Sequence, residues 1–106
     1  MSASPIIRPQ VYWDLDEIAA YIQKDNPQAA LRFLDSADAT FASLAQMPGI
    51  GSRYLVRHPR LIDLRCFPVK DFPNHLIFYQ PADDDTEIIR VLHGARNLAA
   101  ILRREK

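Results

Sequence analysis

The sequence predicts an α+β domain in which an N-terminal helical hairpin lies on a small antiparallel sheet. Two observations carry that class. Apolar residues recur at helical spacing through the first half of the chain, and beyond Met47-Pro48-Gly49-Ile50-Gly51 the pattern changes to short runs rich in strand-forming residues. The length of 106 residues, with 48% hydrophobic and 25% charged, suits one globular domain over residues 1–106.

In chain order, Pro5-Ile6-Ile7 is read as an edge strand. Val11, Leu15, Ile18 and Ile22 then follow at spacings of four, three and four and mark one face of an amphipathic helix. Pro9 suits its first turn, and Asp14, Asp16 and Glu17 lie in its N-terminal half, where the helix dipole favours negative charge. Asp25-Asn26-Pro27 interrupts this helix and starts the next, with Asn26 as N-cap and Pro27 as first helical residue. Ala30, Phe33, Leu34, Ala37, Phe41 and Leu44 form the second apolar face until Pro48-Gly49 stops it. So short a connection makes the two helices antiparallel neighbours.

Three strands are predicted at Leu61 to Phe67, His75 to Gln80 and Glu87 to His93, separated by turn residues at Phe72-Pro73-Asn74 and Ala82 to Thr86. Alternation places Ile62, Leu64 and Cys66 on one face of the first strand, with Asp63 and Arg65 on the other. Leu98 to Arg103 is read as a short terminal helix. A single core is expected to contain Phe33, Leu34, Phe41, Leu64, Val91 and one of Ile77 and Phe78.

Few constellations in the sequence carry chemistry. His58, His75 and His93 share no ligand spacing with one another or with Cys66, so no metal and no cofactor are expected. Cys66 reads as a small buried hydrophobe. A lone cysteine and a start without a basic-then-apolar leader point to the cytoplasm, and no apolar run is long enough for a membrane. Thirteen basic and thirteen acidic residues sum to zero, which argues against strong autonomous nucleic-acid binding. Arg65, Arg90, His93 and Arg96 stand out near the sheet. Arg90 interrupts the run Ile88-Ile89-Arg90-Val91-Leu92, so it is either paired, with Asp63 or Glu87 as partner, or used to recognise phosphate or carboxylate. Gly94 would let the chain turn sharply after the last strand.

These local strings resemble the ParE branch of the RelE/ParE toxin superfamily across nearly the whole chain. The resemblance rests on Pro9 with Asp14-Leu15, Ile18 with Tyr21-Ile22, Asn26-Pro27 with Ala29-Ala30 and Phe33, and Met47-Pro48 with Ile50-Gly51. It continues through Leu64-Arg65 with Phe67-Pro68-Val69, Leu76-Ile77-Phe78-Tyr79, and above all Arg90-Val91-Leu92-His93-Gly94-Ala95-Arg96. Arg8, where relatives often carry a capping serine, and the loop Lys70-Asp71-Phe72-Pro73-Asn74 depart from the pattern.

The resemblance implies a RelE/ParE-like fold and the toxin of a type II toxin–antitoxin module, neutralised by a ParD-type antitoxin and directed at DNA gyrase. Arg90, Arg96 and Arg103 are the expected target-binding residues. The alternative is a RelE-like, metal-free endoribonuclease acting on ribosome-bound mRNA through Arg65, Arg90 and His93. An accessory binding module without toxicity is a third reading. Arg90 and His93, three apart in one strand, point to opposite faces unless a bulge intervenes, which disfavours the nuclease.

Overall fold

A computed structural model describes residues 4–106. Its elements in order are β1 (Ile6–Ile7), α1 (Pro9–Gln23), α2 (Pro27–Gln46), a 3₁₀ turn (Pro48–Ile50), β2 (Ser52–Arg53), β3 (Arg65–Val69), β4 (Phe72–Ala82), β5 (Asp85–His93) and α3 (Leu98–Arg103). The helices begin where the sequence places them. Asn26 caps α2 by accepting the Ala29 N–H at 3.0 Å, and Pro48 ends the α-helical run. Arg8 stands at the N-cap of α1 without a side-chain cap. It reaches instead to Glu87 at 3.1 Å and to the Lys106 carbonyl at 2.9 Å, tying the first strand to the last residues.

The three predicted strands form an antiparallel meander and β1 is the edge strand read at Pro5-Ile6-Ile7, while β2 adds a fifth strand that the sequence did not show. Five strands run in the order β1-β5-β4-β3-β2, and β1 pairs in parallel with β5 through Glu87 and Ile88 only. The hairpin turns are tighter than expected. Lys70-Asp71 and Asp83-Asp84 are the connecting pairs, with Asp71 and Asp83 at φ of 66° and 56°, so Phe72-Pro73-Asn74 belongs to β4. Gly94 is not left-handed: among the described residues no glycine has a positive φ.

The first predicted strand begins four residues late. Leu61 and Leu64 are buried but sit in an irregular loop, and Ile62 is 69% exposed, because apolar spacing in a loop that covers a sheet imitates strand alternation. That loop corrects the single-core expectation. On one face of the sheet Val11, Leu15, Phe33, Phe41, Ile77, Tyr79 and Val91 pack with the helical hairpin. On the other, Leu61, Leu64, Phe78, Ile89, Leu92 and Leu102 form a second core beneath residues 54–64 and α3. Ile77 is therefore the residue beside Phe33, whereas Leu64 lies with Phe78 across the sheet.

Tyr79 locks the 3₁₀ turn to the sheet. Its buried hydroxyl donates to the Pro48 carbonyl at 2.7 Å and accepts the Gly51 N–H at 2.9 Å, and burial raises its pKa. A Cβ at Gly51 would meet Tyr79 Cε1 at 2.8 Å and the Cys66 carbonyl at 2.9 Å, which explains a glycine there. Tyr79→Phe is expected to lower stability by about 1–3 kcal/mol, since it strands the buried Gly51 N–H. Urea melts of the two proteins would measure this.

Candidate functional site

Beyond Ile88 no strand covers the outer edge of β5 among the described residues. Helix α1 crosses that edge instead. Asp14, on the sheet-facing side of α1 and only 5% exposed, accepts the Val91 N–H at 3.0 Å and both Nε and Nη2 of Arg90 at 2.8 Å. Arg90 also donates Nη1 to Glu105 at 2.8 Å. The two acids, chiefly Asp14, hold the Arg90 guanidinium protonated more firmly than usual despite its burial.

Arg90 is thus paired, as one of the two sequence readings allows, but with Asp14 and Glu105. Glu87 is taken by Arg8, and no hydrogen bond or ion pair joins Asp63 to Arg90. Its side chain is 11% exposed, so it lies in a buried network and not on a solvated sheet face.

A bulge does occur in β5. The register passes from Tyr79↔Ile88 to Phe78↔Arg90, leaving Ile89 as the extra residue. It lies before Arg90, and pairing from Arg90 to His93 is regular, so the pleat still turns these two side chains to opposite faces. His93 stacks edge-on against His75, with ring centres 5.0 Å apart, and His75 meets Phe33 at 5.2 Å.

The third residue of the candidate nuclease set, Arg65, donates to the Gly51 carbonyl at 2.6 Å. It pairs with Tyr79, four positions along β4 from the partner of His93, or about 13 Å at the usual rise per residue. Arg65, Arg90 and His93 are not brought together. Arg96 stands 3.7 Å from Glu17 across the mouth of the α1–β5 cleft, and Arg103 is exposed near the end of α3.

The residues that line the cleft were not foreseen. Asp14, Glu17, Ile18, Tyr21, His75, His93 and Arg96 line a largely apolar groove of about 340 Å³. A more polar hollow beside it takes in Trp13 and Arg90. Trp13 and Tyr21 are 72% and 71% exposed on α1, a signal visible in the sequence as large aromatics away from the helix core stripe.

Burial, and then the neighbouring charge of His93, push the His75 pKa below its ordinary value of 6.5, and its Nδ1 is buried without a hydrogen-bond partner. The unfolded chain therefore takes up a proton first as pH falls. Stability is expected to decline as pH drops from about 6.5 towards the folded-state pKa, and His75→Gln should flatten that decline in denaturant melts at pH 7.5 and 5.5. Cys66 is half-buried, and burial raises its thiol to about 11, which makes it a poor nucleophile at neutral pH. No cluster of three or more metal-ligating side chains occurs among the described residues, nor any helix long and apolar enough to cross a membrane.

Comparison with known proteins agrees with this architecture. Residues 6–98 match the family model described as the ParE toxin of type II toxin–antitoxin system, parDE. A Sinorhizobium fredii (strain NBRC 101917 / NGR234) protein named "Putative toxin Y4kP" is 34% identical over 88 residues, covering 83% of this chain and 84% of that protein.

Proposed function

The chain belongs to the ParE toxin family of type II toxin–antitoxin systems, and from that membership we propose that it poisons DNA gyrase in the cytoplasm and is silenced by a ParD-type antitoxin. The carrying observation is the dispersal of Arg65, Arg90 and His93. Two of them are engaged within the fold by Gly51 and by Asp14 with Glu105, and the third is stacked on His75. General acid–base cleavage of RNA needs such groups to converge on one phosphate. A poison that docks by a surface and traps its target's own intermediate needs no such convergence.

The antitoxin's place on this reading is the α1–β5 cleft. A strand edge that no strand pairs beyond Ile88 among the described residues, beside a groove with two exposed aromatics, suits a segment that is extended along the sheet and helical against α1. Loss of the antitoxin's C-terminal half should abolish co-purification. The target surface takes in Arg90, Arg96, Arg103 and the segment Leu98 to Arg103. Because Arg90 is held by Asp14 and Glu105, Arg96 and Arg103 are the residues to test.

Induction without antitoxin should give filamentation and a DNA-damage response, with gyrase-dependent DNA cleavage in vitro. R96A/R103A should weaken both while folding is kept, and R103A alone, which lies outside the cleft, should weaken both with antitoxin binding kept as well. Rapid translation arrest with fragmented mRNA would instead establish the ribonuclease reading.

A further inference from the structure

The zero net charge conceals a separation of charge between the two layers that cover the sheet. The helical hairpin carries Asp14, Asp16, Glu17, Asp25, Asp35 and Asp38 against Lys24 and Arg32. The opposite layer, residues 53–64 with the C-terminal segment 98–106, carries Arg53, Arg57, Arg60, Arg103, Arg104 and Lys106 against Asp63 and Glu105. Glu105 is already engaged by Arg90 and Arg8.

All six cations are exposed, and among the described residues none of them lies in an ion pair. The two segments make one surface because the His58 ring contacts the Glu105 main chain, which holds the loop against the end of α3. Leu61 and Leu102 share the core beneath them. Residues some forty positions apart in sequence thus combine into a continuous basic layer.

We propose that this layer docks the phosphate backbone of duplex DNA. Five of its six cations are arginines, whose planar forks suit phosphate oxygens, and they lack acidic partners; Arg53 Nη2 donates to the Ile62 carbonyl at 3.2 Å, which leaves its charge uncompensated. The choice of duplex over single strand follows from the aromatic rings. Single-stranded RNA and DNA are held by stacking bases on exposed rings, and this layer exposes none. Tyr54 is turned inward against Phe78, with ring centres 5.1 Å apart, while the exposed rings Tyr12, Trp13 and Tyr21 all lie on the acidic hairpin.

The acidic hairpin is repelled by the same polyanion, so the charge separation also orients the molecule, basic layer towards DNA and the α1–β5 cleft away from it. The inference concerns DNA contact itself and stands whatever enzyme the toxin acts on.

Fluorescence anisotropy of the full chain with a labelled 20-base-pair duplex, without gyrase, decides the matter. Binding at 50 mM salt is expected in the micromolar range, with log K falling on log salt at a slope of about −4 as four or five phosphates are neutralised. R57Q/R60Q and R103Q/R104Q, on two separate segments, should each reduce the slope and weaken binding several-fold, whereas K24Q/R32Q on the hairpin should not. The salt slope of the unaltered chain reads the same quantity if a variant folds poorly. No binding at 50 mM salt, equal loss in the hairpin variant, or tighter binding of a 20-nucleotide RNA would overturn the proposal. Competition by polyglutamate as effective as by DNA would overturn it too and assign the layer to an acidic protein.

Discussion

Replacing Asp14 by alanine is expected to cost about 3–5 kcal/mol. The reason is the number of groups it serves. One carboxylate satisfies the Val91 N–H and two nitrogens of Arg90, at an edge of β5 that no other strand covers. Its loss leaves Arg90, 11% exposed, with Glu105 as its only remaining ionic partner among the described residues, and strands a buried N–H in the middle of a central strand. Asp14→Asn should cost less, since an amide oxygen can still accept from Val91. In a double-mutant cycle, the pair D14A and R90M should lose less than the sum of the single changes, because removing both charges together removes the uncompensated one. Chemical denaturation at pH 7.5 gives all four values, and additive losses would show that the pair does not couple.

Phe41→Ala should lose about 3–5 kcal/mol by a different route. The ring is 2% exposed on the buried face of α2, within the cluster that joins α1, α2 and the near face of the sheet. Truncation removes its transfer free energy and leaves a cavity whose walls are fixed by two helices and a sheet. The cost should be nearly the same from pH 5.5 to pH 8, unlike that of His75→Gln. A loss below about 1 kcal/mol would mean the site collapses freely.

Helix α2 was legible from the sequence because its signals are local. Asn26, Pro27 and the apolar face from Ala30 to Leu44 all lie within one segment, and the capping bond spans three residues. Residues 61–64 misled because burial, not strand geometry, spaces Leu61 and Leu64, and a loop folded over a sheet needs apolar residues as much as a strand does. The bulge at Ile89 left no trace, since Ile88 and Ile89 are both buried, one on each face. In the candidate site, Arg90 announced itself as an arginine in an apolar run, but its partner Asp14 lies 76 residues away and resembled an ordinary acid near a helix start. The exposed Trp13 and Tyr21 were readable one by one. The cleft they flank exists only once α1 has crossed β5.

The reach of Arg8 to Lys106 spans 98 residues, and that of Asp14 to Arg90 spans 76. Contacts of such long range form late, after the local hairpin of helices has closed, and they slow folding. On a ribosome the hairpin emerges first with Asp14 uncompensated, and neither β5 nor the segment bearing Arg103 and Glu105 exists until the last fifth of the chain has been made. The polypeptide therefore passes most of its synthesis without the second of its two layers and without the strand that pairs with Asp14. An antitoxin that engages α1 would have a finite interval in which to meet its toxin before there is anything to neutralise.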